Sequence, residues 1–234
     1  MSADDFAARV AGVGVLVEPV RRDLYLYVIG QRDPVSRDQA ATGVGVARHT
    51  AKFHLDRLVE EGLLETDFRR LSGRTGPGAG RPAKLYKRSA REVSVTIPER
   101  HYDLAGELMA RAIDQAVRSG TPVLDDLRRA AVDHGTRLGR CALADAGGER
   151  ADDEALVSSA CRTLSAHGFE PRTDDTAITL ANCPFHTLAR EHTELVCGMN
   201  LALITALTES LRPDLLDARL DPAPGRCCVV LSRT

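Results

Sequence analysis

Residues 34–65 read PVSRDQAATGVGVARHTAKFHLDRLVEEGLLE, and this stretch decides the fold of the first part of the chain. Ser36 is suited to cap a short helix that reaches Thr42, because a serine hydroxyl accepts a hydrogen bond from a free amide of the first helical turn. The GVG sequence at 43–45 then breaks that helix. The stretch therefore predicts a short helix, a glycine turn and a longer helix over residues 46–61.

The predicted longer helix has two faces of different character. At 100° per residue, one narrow arc holds the residues that must face the core, which are Ala51, Leu55, Leu58 and Gly62. The opposite arc holds His49, Lys52, Phe53, Asp56 and Arg57, with Arg48 and Thr50 at its flanks. Preceded by a mostly buried helix over 20–31, this is the helix-turn-helix plan, whose second helix enters the major groove of DNA. An ordinary helical hairpin with a solvated charged face would give the same pattern.

The next segment, residues 63–90, has two strand-like runs around a tip rich in glycine and proline. Between Arg69 and Arg91 the chain carries eight basic residues and no acidic one. This pattern predicts a β-wing whose glycines let the backbone approach DNA, with Arg74 and Arg81 placed to reach phosphates or the minor groove. A nucleotide-binding loop is excluded here, because neither G-x-x-x-x-G-K-[ST] nor G-x-G-x-x-G occurs.

The sequences HTAKFHLDRLVEEGLLE, GRP at the tip and LYKRS together resemble the winged-helix regulators of the ArsR/DeoR type. They are most similar to those with a GRP…Y wing, which include the SufR-type iron–sulfur repressors. The resemblance covers about residues 20–90 and implies binding to a double-stranded DNA operator. It implies base or phosphate contacts from Arg48, His49, Thr50, Lys52 and Phe53, and wing contacts from Arg74, Arg81 and Lys84.

The 234 residues allow two modest domains, and charge separates them. Residues 1–100 carry 17 Lys and Arg against 13 Asp and Glu, whereas the remainder carries 14 against 20. We predict a DNA-binding domain over 1–96 and a sensor and dimerisation domain over 97–234, divided at Ile97-Pro98. The apolar run AGVGVLV is too short to span a bilayer, so we expect a cytoplasmic protein with no membrane partner.

The second domain is predicted to be α+β, with helices first and a small sheet later. Helices are expected over 99–119, 122–143 and 152–167, followed by strands in FEPRT and TAITLAN, helices over 184–192 and 194–211, and a final strand pair in LLDARLDPAP and GRCCVVLSR. The first helix has an apolar stripe of Ala105, Leu108, Met109, Ala112, Ile113 and Ala116. Its small residues would suit close packing in a homodimer, and packing within one chain explains the stripe equally well.

Two cysteines and two histidines lie in NCPFHTLAREHTELVCGMN, residues 182–200. Cys183 and His186 are three residues apart and share a face if the turn is helical. Thiolate and imidazole are ligands of zinc and of iron–sulfur clusters, and helix N-termini favour the thiolate. Buried cysteines also serve as small apolar residues, which is the role we assign to Cys141 and Cys161.

This region also resembles the effector domain of the SufR-type repressors, in which a Cys-Pro pair, a cysteine about thirteen residues later and a cysteine on the closing strand hold the cluster. The matches here are Cys183-Pro184, Cys197, and Cys227 or Cys228. The further cysteine that the family has in between is missing. Adjacent strand residues point to opposite faces, which disfavours joint ligation by Cys227 and Cys228.

The predicted ligands are Cys183, His186, Cys197 and Cys227, and such a set suits zinc as readily as a cluster. If His186 does not fill the fourth position, His192 or an exogenous ligand fills it, or the position is open. A thiol redox pair remains an alternative to metal binding. The predicted function is a homodimeric transcription regulator controlled at this site. Two other functions are a regulator with an organic effector near Phe169, Phe185 and Met199, and a cysteine enzyme with His186 or His192 as base. No nucleophile motif accompanies the cysteines, so we expect no enzyme.

Overall fold

The computed structural model describes residues 3–69, 82–174 and 176–233. The chain divides into two compact units, Ser2–Val95 and Thr96–Thr234. The boundary predicted from Ile97-Pro98 lay between residues 96 and 97. Each unit has its own apolar core, so each is described by itself.

In the described residues, the first unit is mostly helical with a small sheet. Its helices are α1 Ala3–Gly14, α2 Pro19–Ile29, α3 Arg37–Val44 and α4 Arg48–Glu60, with a 3-10 turn at Val15–Val17 between α1 and α2. Its strands are β1 Val35–Ser36, β2 Leu64–Arg69 and β3 Ala83–Arg88. Helix α1 had no counterpart among the predicted elements. The other helices begin and end within two residues of the predicted positions.

The helix-turn-helix forms for the local reasons that the sequence offered. The Ser36 hydroxyl accepts a hydrogen bond from the Gln39 amide at 3.2 Å, and the Gln39 side chain accepts one from the Ser36 amide at 2.9 Å. This capping box starts α3. Gly45 ends α3 in the left-handed conformation with φ of 76°, which a glycine adopts without steric cost. The predicted cap and break are both confirmed.

The small sheet has the strand order β1-β3-β2 and is antiparallel throughout. The β2–β3 hairpin runs in register from Leu64 opposite Arg88 to Arg69 opposite Ala83. This confirms the strands of the predicted wing. Its tip lies outside the described residues, and so do the predicted contacts Arg74 and Arg81.

The second unit is α+β, which confirms the predicted fold class. Its helices are α5 Tyr102–Ser119, α6 Val123–Asp145, α7 Asp153–Ala166, α8 His186–Glu191 and α9 Thr193–Leu211, with a 3-10 turn at Gly148–Arg150. Its strands are β4 Pro171–Thr173, β5 Ala177–Leu180, β6 Leu216–Leu220 and β7 Val229–Arg233, in the antiparallel order β4-β5-β7-β6. Helices α5, α6 and α7 thus precede the four strands in the chain, and α8 and α9 lie between β5 and β6.

Helices α6 and α9 pack closely because two glycines of α6 leave room for the backbone of α9. A Cβ atom at Gly135 would overlap the Leu203 carbonyl group, and one at Gly139 would overlap that of Leu207. Helix α9 therefore lies in the core, where Leu203 and Leu207 are buried. Among the described helices, only α9 is long and apolar enough to cross a membrane, and 56% of its apolar window is buried in the protein.

Two details of the second unit differ from the expectations. Of the apolar stripe predicted for the first helix, Ala105, Leu108, Ala112 and Ala116 pack into the core of the same chain, whereas Ile113 is exposed. The last strand begins at Val229, so Cys227 and Cys228 precede it and Cys228 lies in a bend. The strict alternation of strand side chains therefore does not apply to this pair.

Candidate functional site

The predicted DNA contacts of the longer helix lie together on the outer face of α4. Arg48, His49, Lys52 and Phe53 are exposed and Thr50 is half-buried. Phe53 is 65% exposed, and its ring meets the His54 ring edge to face with ring centres 5.2 Å apart. Ala51, Leu55 and Leu58 on the inner face are fully buried, so the helix is held rigidly while its outer face stays open.

The first turn of α4 offers backbone donors as well as side chains. In the described structure no side chain caps its N-terminus at Ala47, which leaves the first amide groups available to an anion such as a DNA phosphate. Arg48 pairs with Asp38 of α3 at 2.5 Å, with both side chains more than half exposed. A surface pair of this kind is worth about 0–1 kcal/mol, so a phosphate can replace the carboxylate.

Asp56 connects α4 to the wing. Its Oδ1 accepts hydrogen bonds from Lys84 Nζ at 2.6 Å and from the Tyr86 hydroxyl at 2.9 Å, and both donors belong to β3. The Lys84 ammonium also lies 5.2 Å from the centre of the Tyr86 ring. Lys84, predicted as a wing contact to DNA, is thus engaged within the domain, where it fixes the wing against α4.

The electrostatics of this contact favour the ionised carboxylate. Partial burial raises the pKa of Asp56. The hydrogen bonds from Lys84 and Tyr86 and the charge of Lys84 together lower this pKa by a larger amount, so the net shift is downward. The same contact raises the pKa of Tyr86, first through burial and then through its hydrogen bond to Asp56. Asp56 is therefore charged, and Tyr86 neutral, throughout the physiological pH range.

The second unit brings four thiols together from three separate segments. Cys183 follows β5, Cys197 lies in the second turn of α9, and Cys227 and Cys228 precede β7. The Sγ atoms of Cys197 and Cys228 are 3.1 Å apart, and the thiols of Cys183 and Cys227 are hydrogen-bonded to each other. Cys197 and Cys228 are also close enough for their charges to act on Cys183. We call these four residues the thiol cluster.

Backbone hydrogen bonds hold the segment around Cys227 and Cys228. The Cys227 amide donates to the Leu180 carbonyl at 2.8 Å, and the Cys228 carbonyl accepts from the Asp221 amide at 2.7 Å. These two bonds tie the residues to β5 and to the end of β6. The bend at Cys228 lets both thiols reach the cluster, one toward Cys183 and the other toward Cys197.

Buried asparagines on either side support the cluster. Asn182 Nδ2 donates to the carbonyl groups of Glu99 at 2.9 Å and Gly168 at 2.6 Å, which fixes the residue just before Cys183. Asn200 lies one turn after Cys197 and its Nδ2 donates to Cys227 Sγ at 3.3 Å. Its Oδ1 is buried and has no hydrogen-bond partner among the described residues. Neither asparagine was singled out from the sequence.

The thiols of Cys183 and Cys227 differ in pKa because one donates a hydrogen bond to the other. The hydrogen bond from Cys227 lowers the pKa of Cys183 and, together with burial, raises that of Cys227. Burial, and then the hydrogen bond to Cys228, raise the pKa of Cys197 to about 12. Cys183 is thus the thiol that the protein itself favours as a thiolate.

The predicted metal ligands are not all placed alike. Cys183, Cys197 and Cys227 belong to the thiol cluster, whereas His186 and His192 are exposed at the two ends of α8. The His186 amide donates to the Cys183 carbonyl at 3.1 Å. Over the described ranges, no three His, Cys, Asp or Glu side chains stand ready-made as a metal site. Cys228, which the sequence offered only as an alternative to Cys227, lies beside Cys197.

The remaining predicted positions lie apart from the cluster. Cys141 is exposed on α6, and Cys161 is half-buried with its sulfur 3.9 Å from the Thr173 hydroxyl. Phe169 and Phe185 pack edge to face in the core with ring centres 6.3 Å apart. An open cleft of about 480 Å³ lies between α6 and α9 and is lined by Met199, but neither phenylalanine lines it.

Comparison with known proteins adds one finding. Residues 16–67 match a family described as a helix-turn-helix domain. The match spans α2, α3, α4 and the start of the wing. It supports a DNA-binding transcription regulator. No curated protein and no solved structure matches the chain.

Proposed function

We propose that this protein is a homodimeric transcription regulator of the winged-helix type, controlled through the thiol cluster of its second domain. The single observation that carries the regulatory part is the meeting of Cys183, Cys197, Cys227 and Cys228 from three segments of the chain. Thiols brought together in this way suit either a bound metal centre or reversible oxidation. Unrelated core packing does not require them to meet.

The DNA-binding half acts through α4 and the wing. In this proposal α4 lies in the major groove, where His49 and Phe53 contact base edges and Arg48 and Lys52 contact phosphates. The uncapped first turn of α4 adds backbone donors to a phosphate. Lys84 and Tyr86 hold the wing in place through Asp56, so that the basic tip can follow the backbone of the operator.

The donor set of the cluster fits zinc or an iron–sulfur cluster. We propose Cys183, Cys197 and Cys227 as ligands and Cys228 as the fourth, because its thiol lies beside Cys197 while His186 is exposed. When bound, zinc would fasten the three segments to one another, and an iron–sulfur cluster would add a centre that oxidants alter. In either case the four thiols release their protons on binding.

A change at the cluster would reach the DNA through the arrangement of the two subunits. Half-sites on DNA lie about 34 Å apart, or one helical turn, so both recognition helices bind at once only if their spacing matches. Cys197 lies on α9, the central core helix, and Cys227 and Cys228 lead into the central part of the sheet. A shift of these elements would alter how the two second domains pack and so change that spacing.

A thiol redox switch is the second candidate, and the 3.1 Å separation of Cys197 and Cys228 favours it. A peroxide would oxidise one thiol of this pair to a sulfenic acid and release one water. The other thiol would then displace a second water and close the disulfide. Two thiols thus lose two hydrogens and two electrons, and one hydrogen peroxide becomes two water molecules.

Metal analysis of protein purified without oxygen separates these candidates. Iron with acid-labile sulfide, or one zinc per chain, supports the metal site, and we expect Cys183→Ser, Cys197→Ser and Cys228→Ser each to lose most of it. Cys141→Ser, an exposed thiol outside the cluster, is the matched control and should keep full loading. Metal-free protein that forms a Cys197–Cys228 disulfide with peroxide supports the redox switch instead. If Cys228→Ser kept its full metal content and His186→Ala lost it, the fourth ligand would be His186 and not Cys228.

DNA binding is tested with a duplex selected from a random library. Lys52→Ala should weaken binding and lower the slope of log K against log salt by about 0.9, the value for one lost phosphate contact. Arg128→Ala, an exposed basic residue of the second domain, is the control and should change neither quantity. An unchanged slope in Lys52→Ala would show that this residue does not contact phosphate.

A further inference from the structure

The second unit begins with a short segment, residues 96–101, which links the first unit to helix α5. We call this segment the connector. It forms no helix or strand, yet Glu99, Arg100 and His101 are half-buried. One hydrogen bond lies within it, from the Arg100 amide to the Thr96 hydroxyl at 2.9 Å. Half-buried backbone outside regular structure needs further partners from elsewhere in the fold.

The side chain of Arg100 has its partners in the loop that carries Cys183, residues 181–185. We call it the Cys183 loop. Arg100 Nη1 donates to Asn182 Oδ1 and to the Cys183 carbonyl group, the latter at 3.3 Å. Hydrogen bonds from a charged donor are stronger than those between neutral groups, so Arg100 ties the connector firmly to this loop.

Backbone groups add to this attachment in both directions. The His101 amide donates to the Pro184 carbonyl group at 3.1 Å. In return, Asn182 Nδ2 donates to the Glu99 carbonyl group at 2.9 Å. We call the hydrogen bonds that Arg100, His101 and Asn182 make between the connector and the Cys183 loop the clamp.

The Cys183 loop is held from its other side by the thiol cluster. The Cys183 thiol is hydrogen-bonded to that of Cys227, while the carbonyl group of the same residue accepts from Arg100. Pro184 follows, and a proline fixes its own φ and restricts the backbone of the residue before it. Rotation of the backbone at Cys183 and Pro184 is therefore limited. A displacement of the thiol must move the two carbonyl groups that the clamp uses.

We propose that the clamp makes the connector respond to the thiol cluster. While Cys183 stays in the cluster, its carbonyl group and that of Pro184 stay within reach of Arg100 and the His101 amide. When metal loss or oxidation displaces the Cys183 thiol, these acceptors move and the connector is released. A change from an ordered to a disordered segment is a known form of molecular switch. The inference rests on the proposed function, because it takes the thiol cluster as the regulated site, and it adds the route.

Release of the connector would act on DNA binding through the covalent link between the two domains. In a dimer, both recognition helices bind an operator at once only if their spacing matches that of the half-sites. A held connector restricts this spacing, whereas a flexible one spreads it over many values. The effective concentration of the second recognition helix at its half-site then falls, and so does the affinity for the whole operator.

Hydrogen exchange of the full chain, prepared without oxygen, tests the clamp. The His101 amide is protected by its bond to Pro184, so its exchange rate reports whether the clamp is closed. Among the described hydrogen bonds, Cys227 reaches the clamp only through Cys183. Cys227→Ala should therefore speed this exchange tenfold or more through the loss of the thiol pair. Cys141→Ala, at an exposed thiol outside the cluster, is the matched control and should leave the rate unchanged.

Arg100→Ala tests whether this residue carries the coupling. It should itself speed exchange at His101, and Cys227→Ala added to it should change the rate by less than twofold, because coupled sites are not additive. In an Arg128→Ala background, Cys227→Ala should keep its tenfold effect. Arg100→Lys, which retains a charged donor, should restore part of the protection. Unchanged exchange in α6 would show that the variants are folded.

Two results would overturn the clamp as the route from the cluster. One is an unchanged His101 rate in Cys227→Ala, and the other is a full tenfold effect of Cys227→Ala in the Arg100→Ala background. The dissociation constant for the selected duplex separates this inference from the proposed function. A connector that loosens in Cys227→Ala while that constant stays the same overturns the proposed regulation and keeps the clamp. A changed constant with a tightly held connector keeps the regulation and overturns the clamp.

Discussion

The DNA face and the thiol cluster are built in opposite ways. The DNA face takes its main residues from one turn and a half of α4, between Arg48 and Phe53, and exposes them to solvent. The thiol cluster gathers residues 183, 197, 227 and 228, which only the packing of α9 against the sheet brings together. A site on one helix needs that helix to form, whereas a site from three segments needs a whole domain. Changes to the second core should therefore abolish the cluster and spare the DNA face.

The largest effect is expected from Gly135→Ala. The added Cβ would overlap the Leu203 carbonyl group, so α6 and α9 must separate, at a cost of about 3 kcal/mol in the free energy of unfolding of the second domain. Because α9 carries Cys197, the thiol cluster should lose its close pairs as well. Urea unfolding followed by hydrogen exchange of each domain measures the first effect, and thiol cross-linking measures the second.

Gly198→Ala is the matched control for this prediction. Gly198 also lies in a helix of the second domain, on α9 itself, but a Cβ there meets nothing within 4 Å. The free energy of unfolding should stay the same or rise by up to about 1 kcal/mol, the helix propensity difference. Equal losses in both variants would show that close packing of α6 and α9 is not the cause. Hydrogen exchange in α4 should be unchanged in both.

A smaller effect is expected from Asn182→Ala. The side chain is 6% exposed and donates to two backbone carbonyl groups, and its Oδ1 accepts from Arg100. Its loss leaves buried polar groups unpaired and should cost about 2 kcal/mol. Cys183 is the next residue, so its pairing with Cys227 should weaken too, which disulfide trapping and mass spectrometry can measure. Arg190→Ala, at an exposed position of the same segment, should cost less than about 0.5 kcal/mol.

The smallest effect is expected in the first domain, from Asp56→Ala. Loss of the hydrogen bonds to Lys84 and Tyr86 should cost about 1 kcal/mol, since the carboxylate is partly exposed and screened by solvent. Asp56→Asn keeps an acceptor for Tyr86 and should cost less. Thermal unfolding of the first domain measures both, and equal losses would show that the ion pair with Lys84 dominates.

The same contact gives the first domain a pH dependence. The pKa of Asp56 is lowered in the folded state, so its stabilisation is complete above the ordinary pKa of an aspartate. It is lost as the pH falls through the lowered pKa of the folded protein, because protonation then removes the ion pair. Wild-type protein should therefore lose more stability than Asp56→Asn on acidification from pH 6 to pH 3. Parallel losses in the two proteins would contradict this assignment.

The sequence predicted the first domain better than the second because its signals are local. Ser36, Gly45 and the spacing of Ala51, Leu55 and Leu58 each act within a few residues, and the structure confirms all of them. In the second domain the helices and strands were also foreseen from local patterns. The argument against joint ligation by Cys227 and Cys228 assumed a regular strand, but the strand begins at Val229 and the chain bends at Cys228. The adjacent pair Cys227-Cys228 just before a strand was the sequence signal for a fourth thiol in the cluster.

The sequence by itself determined the helix-turn-helix, the wing strands and the α+β class, because caps, glycines and apolar periodicity depend only on near neighbours. Only the tertiary structure decided which thiols meet, which residue faces each of them, and which face of α5 stays uncovered. Those relations join positions far apart in the chain. They depend on how closely α6 and α9 approach and on where the sheet edges fall, and no short stretch of sequence encodes either distance.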